Sequence, residues 1–324
     1  MRTWNRSLLA LTGAMILLTL VCVVGLLVDP RTLLGQPIWA KPLKFSISLA
    51  LYGPTLAWMI SLVTGPRARR LANVAGTVVA VTAAVEMVAI VGQVLRGRTS
   101  HFDVGTPFDA AVWSVMAVSI MTLWVATAVV GVVLLRERTM STASAWAVRL
   151  GLGVALLGMA LAFLMTGPTG AQIAAARAEG SMPTVGAHAV GVPDGGPGLP
   201  LLGWSTTGGD LRIGHFVGLH ALQALPLLAL GLGLLAGRVA VLRSERVRAQ
   251  LVAVGGGAWA GLTLLLTWQA LRGQPLLAPD AATLAAAATL VVLTVAAAAV
   301  VLVRGARSVP PAERPAPAVL SLPA

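Results

Sequence analysis

The chain has 324 residues, 57% of them hydrophobic and only 10% charged, with a formal net charge of +12. Soluble domains carry about a quarter charged residues, and a soluble chain of this length would need that polar surface to cover its core. The composition therefore excludes a soluble globular protein, as well as disorder, coiled coil and a disulfide scaffold, and points to an all-α polytopic membrane protein.

Eight apolar runs are long enough to cross a hydrocarbon layer of about 30 Å at about 1.5 Å per residue. They lie near 7–28, 44–65, 72–95, 111–135, 147–166, 213–236, 250–271 and 281–303. Runs of this length satisfy their backbone hydrogen bonds in lipid as helices. The first follows Met1-Arg2 and starts like a signal peptide, but it exceeds an ordinary h-region and no A-x-A site follows, so an uncleaved anchor is expected. Cys22, the single cysteine, lies inside it and leaves no intramolecular disulfide to form. Residues 167–212 form the one long connection, with a short helix expected near 171–179 and a Gly- and Pro-rich stretch beyond it. There Trp204 and the cluster at Leu199–Leu202 predict packing against the rest of the chain. Residues 305–324, rich in Pro and Ala, read as a disordered cytoplasmic tail.

Fifteen of the 23 Lys and Arg fall on the side of the N-terminus and eight on the other. The positive-inside rule then puts both termini in the cytoplasm. Arg outnumbers Lys 21 to 2, and Ala, Val, Leu and Gly dominate, a composition that reads as bacterial and implies an inner (cytoplasmic) membrane. The basic clusters sit between apolar runs without interleaved aromatics, which excludes nucleic acid as a partner. Membrane lipids and a small-molecule ligand are the expected partners.

Four matches recur in order. QVLRG from Gln93 is echoed by QALRG from Gln269, and PFDAA around Asp109 by PDAA around Asp280. Lys44-Phe45 is echoed by His215-Phe216, and Pro54 by Pro226. They predict two tandem four-helix repeats, residues 1–136 and 137–304, in the same orientation about a pseudo-two-fold along the membrane normal, with a site in the cleft between them.

Glu86 is the only acid deep within a span, about 15 Å below Arg96 at about 1.5 Å per residue. An intramembrane carboxylate costs several kcal/mol unless paired, protonated or hydrated, and so marks function. Lys41 and Lys44 are the only lysines. Lys44, Ser48, Tyr52 and Thr55 form a polar stripe at helical spacing, whereas snorkelling to the interface accounts for Lys41. His215 and His220 are five apart, about 140° around a helix, and cannot share one metal. His220 pairs with Gln223 in the interior, while His215 sits at the boundary near Asp210 and Arg212.

His101, His188 and His220 with Glu86 are the one metal set on offer, but no zinc or haem-attachment motif accompanies them. No metal ligand is assigned and the cofactor is left open. The duplicated layout is similar to that of haem A synthase-type proteins, whose axial histidines should recur in alternate helices. The fourth and eighth helices here contain none, and no residue is carried over.

The leading expectation is a protein that binds or transports a small anionic solute, with proton coupling, in an outward-facing polar pocket between its halves. Lys44, Arg96 and Arg272 would attract the anion, and Ser48, Tyr52, Gln93, Gln223 and Gln269 would orient it. His101, Asp210 and His215 complete the binding set, Glu86 or His220 would exchange a proton, and the 167–212 loop would cover the site. The alternatives are a membrane-embedded enzyme with Glu86 and His220 as acid and base on a lipid or periplasmic substrate, a haem or redox protein, and a structural subunit.

Overall fold

The computed structural model describes residues 4–307 and has eight helices long and apolar enough to cross a membrane, so the chain is an all-α polytopic membrane protein. In chain order they are α1 (Arg6–Val28), α2 (Ala40–Ser61), α3 (Pro66–Leu95), α4 (Pro107–Leu135) and α5 (Thr142–Leu161), then α7 (Leu211–Leu235), α8 (Glu245–Leu271) and α9 (Ala281–Arg307). Between α5 and α7 runs a 49-residue lid, 162–210, that contains the short helix α6 (Gly170–Glu179). Among the described residues strand is limited to two short antiparallel pairs, Thr32–Leu33 with Gln36–Pro37 and Ala189–Val190 with Gly209–Asp210.

Several helices begin before their apolar runs, because caps rather than hydropathy set their starts. Pro66 and Pro107 open α3 and α4 at positions where a missing N–H costs nothing. Ser141 and Ser244 accept from the backbone N–H groups of Ser144 and Val247 to cap α5 and α8. Helix α2 is shifted towards the N-terminus relative to 44–65, since the chain must turn through Thr64-Gly65 before Pro66. Helix α9 runs on through Gly305–Arg307 into the stretch expected as tail, and the rest of that tail lies outside the described residues.

Helix α1 packs on α2 and α3, α2 on α3, and α3 on α4. The same pairings recur as α5 on α7 and α8, α7 on α8, and α8 on α9, while α4–α5 and α2–α7 contacts join the two groups. Small residues set the closest approaches, as is usual where lipid supplies no hydrophobic drive between helices. A Cβ at Gly158 would lie 2.7 Å from the Gly218 backbone, and one at Gly53 would lie 3.1 Å from the Leu8 carbonyl. The main core joins α1–α4 through Leu8, Leu56, Met59, Ile60 and Met116, and reaches α5 at Leu152 and Ala155. Helix α9 buries only Thr283 and Gly305 and is the outermost element.

At the end with short connections, Glu137 ties two turns together by accepting from Thr64 and Thr139. Burial pushes its carboxyl up, but those hydrogen bonds outweigh it and hold it at about 2. At the other end the lid is stitched to the α3–α4 loop: Val104 N–H donates to Pro183, and Val185 N–H to Phe102. The expected helix is present as α6, started by a reciprocal capping box between Thr169 and Gln172. Gln172 also bonds both backbone groups of Gly186. The apolar lid tip differs from expectation. Leu201 is 74% and Leu202 39% exposed, because Leu199 and Trp204 pair with each other through the backbone and turn the leucines outward.

Candidate functional site

Helices α2 and α7 meet at the junction of the two four-helix groups. Above this junction, between α2, α3, α4 and α7 and beneath the lid, lies a cavity of about 1390 Å3. Its walls are apolar and aromatic, with Phe45 and Leu49 from α2, Trp113 and Trp124 from α4, and Phe216 from α7. Tyr52 and Gln223 line it too. The Tyr52 hydroxyl is paired with Thr127 of α4 at 2.6 Å, and Gln223 Nε2 reaches Thr55 of α2 at 3.5 Å, leaving its buried Oε1 without a partner.

A chain of polar groups runs along one wall. Lys41 Nζ donates to His101 Nδ1 at 3.0 Å, the Ser100 hydroxyl lies 3.1 Å from the same nitrogen, and His101 Nε2 lies 3.5 Å from Glu86 Oε1. A lysine ammonium can only donate, so Nδ1 is the lone-pair nitrogen and Nε2 carries the hydrogen towards Glu86. Burial, with Lys41, His188 and His215 nearby, holds His101 well below the usual imidazole range, so it is neutral at physiological pH. Its ring is walled by Phe45, Phe102 and Trp113 at centroid distances of 5.9, 6.0 and 5.5 Å. Phe102 adopts this place with a φ of 68°, a left-handed conformation that costs a bulky residue about 1–2 kcal/mol. Glu86 is 2% exposed, and neither of its carboxylate oxygens has a hydrogen-bond partner.

Two further histidines face the cavity with Nδ1 engaged. His188 Nδ1 bonds Asp194 at 2.7 Å, and His215 Nδ1 bonds the Gly158 carbonyl at 2.7 Å, where the α5–α7 glycines let the backbones touch. Burial lowers His188. Burial would raise Asp194, but the bond from His188 and the backbone N–H groups of His188 and Ala189 bring it to about 2. At the rim, Lys44 Nζ donates to the Leu202 carbonyl at 2.6 Å, and Arg212 donates to the Gly203 carbonyl at 2.6 Å while pairing with Asp210. One residue from each group of helices thus latches the lid.

Of the residues singled out from sequence, Lys44, Ser48, Tyr52, Glu86, His101, His215, His220 and Gln223 line this one cavity. Gln93, Arg96, Asp210, Gln269 and Arg272 do not. Asp109 accepts from Gln93 at 2.9 Å and Arg96 at 2.7 Å, and Arg96 stacks on Phe108. In the α8–α9 turn Arg272 pairs with Asp280 and stacks on Trp268, and Gln269 donates to the Pro275 carbonyl. Each Arg–Asp pair thus clamps a turn between two helices, with a glutamine bonded in the same turn. Asp210 caps α7 and holds Arg212. Lys41, Ser100 and Arg212 reach the cavity although sequence reasoning gave them no role there, and only the scarcity of lysine pointed to the first.

Among the described residues no three His, Cys, Asp or Glu side chains are grouped to hold a metal ion, so His101, His188, His220 and Glu86 form no such set. What the wall offers chemically is a neutral imidazole between a carboxylate and an amine, in apolar surroundings. Comparisons with protein-family models, curated proteins and solved structures return no match for the chain.

Proposed function

We propose that the protein binds a small amphipathic anion in the lidded cavity and couples its passage to a proton exchanged at Glu86 and His101. The carrying observation is Glu86, a carboxylate on the cavity wall at 2% exposure with neither oxygen hydrogen-bonded. A group so costly to hold in a membrane is retained where a proton or ligand needs it.

The head group of the ligand docks at Lys41. Lys44 is occupied by a lid carbonyl, Arg98 by Asp103 and Asp109, and Arg212 by Asp210, whereas the Lys41 bond goes to a neutral ring. The apolar body lies between Phe45, Trp113 and Trp124. The recurrence of helix pairings supports two parallel repeats that rock about the α2–α7 contact, with the lid on the outward side.

Uptake of labelled octanesulfonate into proteoliposomes under an imposed pH gradient tests the reading. This anion keeps its charge and crosses lipid poorly unaided. Gradient-driven uptake is expected for the wild type and its collapse in Glu86→Gln, with binding in detergent retained. Octanesulfonate affinity unchanged in Lys41→Met removes the anion site, and gradient-driven uptake unchanged in Glu86→Gln removes the proton role.

A further inference from the structure

We infer that Lys41 is a covalent anchor, its amine condensing with the carbonyl carbon of an apolar aldehyde or ketone seated between the aromatic walls, with His101 and Glu86 relaying the protons. The inference rests on the same cavity as the solute reading but asks more of it, namely a bond rather than an ion pair.

Only two of the chain's 23 cationic side chains are lysines, the only ones able to become a neutral amine nucleophile, and both line this cavity. Lys44 donates to the Leu202 carbonyl, a group that takes up no proton. Lys41 instead lies 3.0 Å from the lone-pair nitrogen of His101, whose other nitrogen lies 3.5 Å from Glu86. Nucleophile, base and orienting carboxylate in line are the arrangement that activates a weak nucleophile.

The protons balance. The Lys41 ammonium gives a proton to His101 Nδ1 while Nε2 passes its own to Glu86, which leaves a neutral amine, a neutral imidazole of the opposite tautomer and a protonated carboxyl. The amine lone pair attacks the carbonyl carbon, the C=O π pair moves to oxygen, and one proton moves from nitrogen to that oxygen, giving a carbinolamine. His101 then returns its Nδ1 proton to the hydroxyl, which departs with the C–O pair as water. The nitrogen lone pair forms the C=N bond, and Glu86 restores the Nε2 hydrogen. The net change is ammonium plus carbonyl to protonated imine plus water, with no electron carrier and no change in total charge. The imine's positive charge then stands where the ammonium's did, in line with His101 and Glu86. Ser100, 3.1 Å from the same Nδ1, is placed to hold the departing oxygen. Phe45, Phe102 and Trp113 wall the His101 ring that relays the proton.

The test uses the full chain in phosphatidylcholine nanodiscs, whose lipids have no primary amine. The protein is incubated with octanal and cyanoborohydride, the adduct is mapped by peptide mass spectrometry, and octanesulfonate binding is measured on the same samples. An octyl group on Lys41 and not on Lys44 is expected, with labelling roughly 100-fold slower in Glu86→Gln and His101→Gln, the usual size of a lost proton relay. Equal labelling of both lysines, or wild-type rates in these variants, overturns the anchor. Should His101→Gln fail to fold, Glu86→Gln decides alone, because Glu86 makes no hydrogen bond that the fold would miss. Octanesulfonate binding without an adduct on Lys41 removes the anchor and leaves the solute reading standing. An adduct on Lys41 without octanesulfonate binding does the reverse.

Discussion

Glu86 and Asp109, carboxylates of adjacent helices, are both almost fully buried, yet their surroundings are opposite. Asp109 accepts from Gln93, Arg96, Arg98 and Thr106, whereas neither Glu86 oxygen has a hydrogen bond. The Asp109 carboxylate is shut off from solvent, but Arg96 and Arg98 are 42% exposed in their side chains and stay hydrated without it. Asp109→Ala is therefore expected to cost about 1–2 kcal/mol, through the Gln93 and Thr106 groups left without their acceptor, read as a lowered melting temperature in detergent. Asp280, paired with Arg272 in the α8–α9 turn, is 41% exposed in its side chain. Solvent screens such a pair, so Asp280→Ala is expected to melt close to the wild type. Glu86→Gln removes a charge that nothing hydrogen-bonds. It is expected to hold or raise the melting temperature while weakening the pH dependence of octanesulfonate binding, the histidine contribution remaining. A large loss of stability in Glu86→Gln would mark the residue as a structural staple instead.

Among the elements, α5 and α7 make the closest pair, and glycine makes it possible. A side chain at Gly158 has nowhere to go but into the Gly218 backbone at 2.7 Å, so Gly158→Val is expected to part the helices and free His215 from the Gly158 carbonyl. The comparison is Gly13→Val, where nothing lies within 4 Å of the added carbon. Loss of a monodisperse peak on size exclusion should appear in the first and not the second. The eight helices were legible because long apolar runs leave the backbone no alternative in lipid. Their ends were less so, since caps such as Ser141 and Ser244 lie outside the runs. The site was legible only in part. Glu86 announces itself by being an acid in a span, but the partner of Lys41 is 60 residues away in sequence, and local spacing made that lysine look like an interfacial anchor. The Gln93–Arg96 and Gln269–Arg272 pairs stood out for recurring. In the structure both lie in turns between helices, stapled by Asp109 and Asp280.

At the scale of the whole molecule, the lid joins the two groups of helices, held by Lys44 from α2 and Arg212 from α7, and it closes over histidines that burial keeps neutral. That neutrality sets the sign of the pH response. His101 and His188 have folded-state pKa values below the value of about 6.5 expected in an open or unfolded state. Between the two values the open state binds more protons, so the stability of the closed state falls as pH drops below about 6.5. The charges around His101 are Lys41 on α2 and Glu86 on α3, with His188 and His215 beyond. Those around His188 are Asp194, Arg212 and Lys41. Asp194 acts in a separate window. Its carboxyl is held at about 2 in the closed lid, so its contribution is present above about 3.9 and disappears only as pH falls through the lower value. Hydrogen exchange of the 198–206 backbone is therefore expected to be slow and nearly constant, after correction for intrinsic chemical exchange, above about pH 7 and to accelerate as pH falls towards about 5.5. His188→Gln, which cannot take up the proton, should flatten part of that rise. Protection that stays constant down to about pH 5 would mean that the histidines titrate without opening the lid. Entry to the cavity would then have to come from movement of the helices.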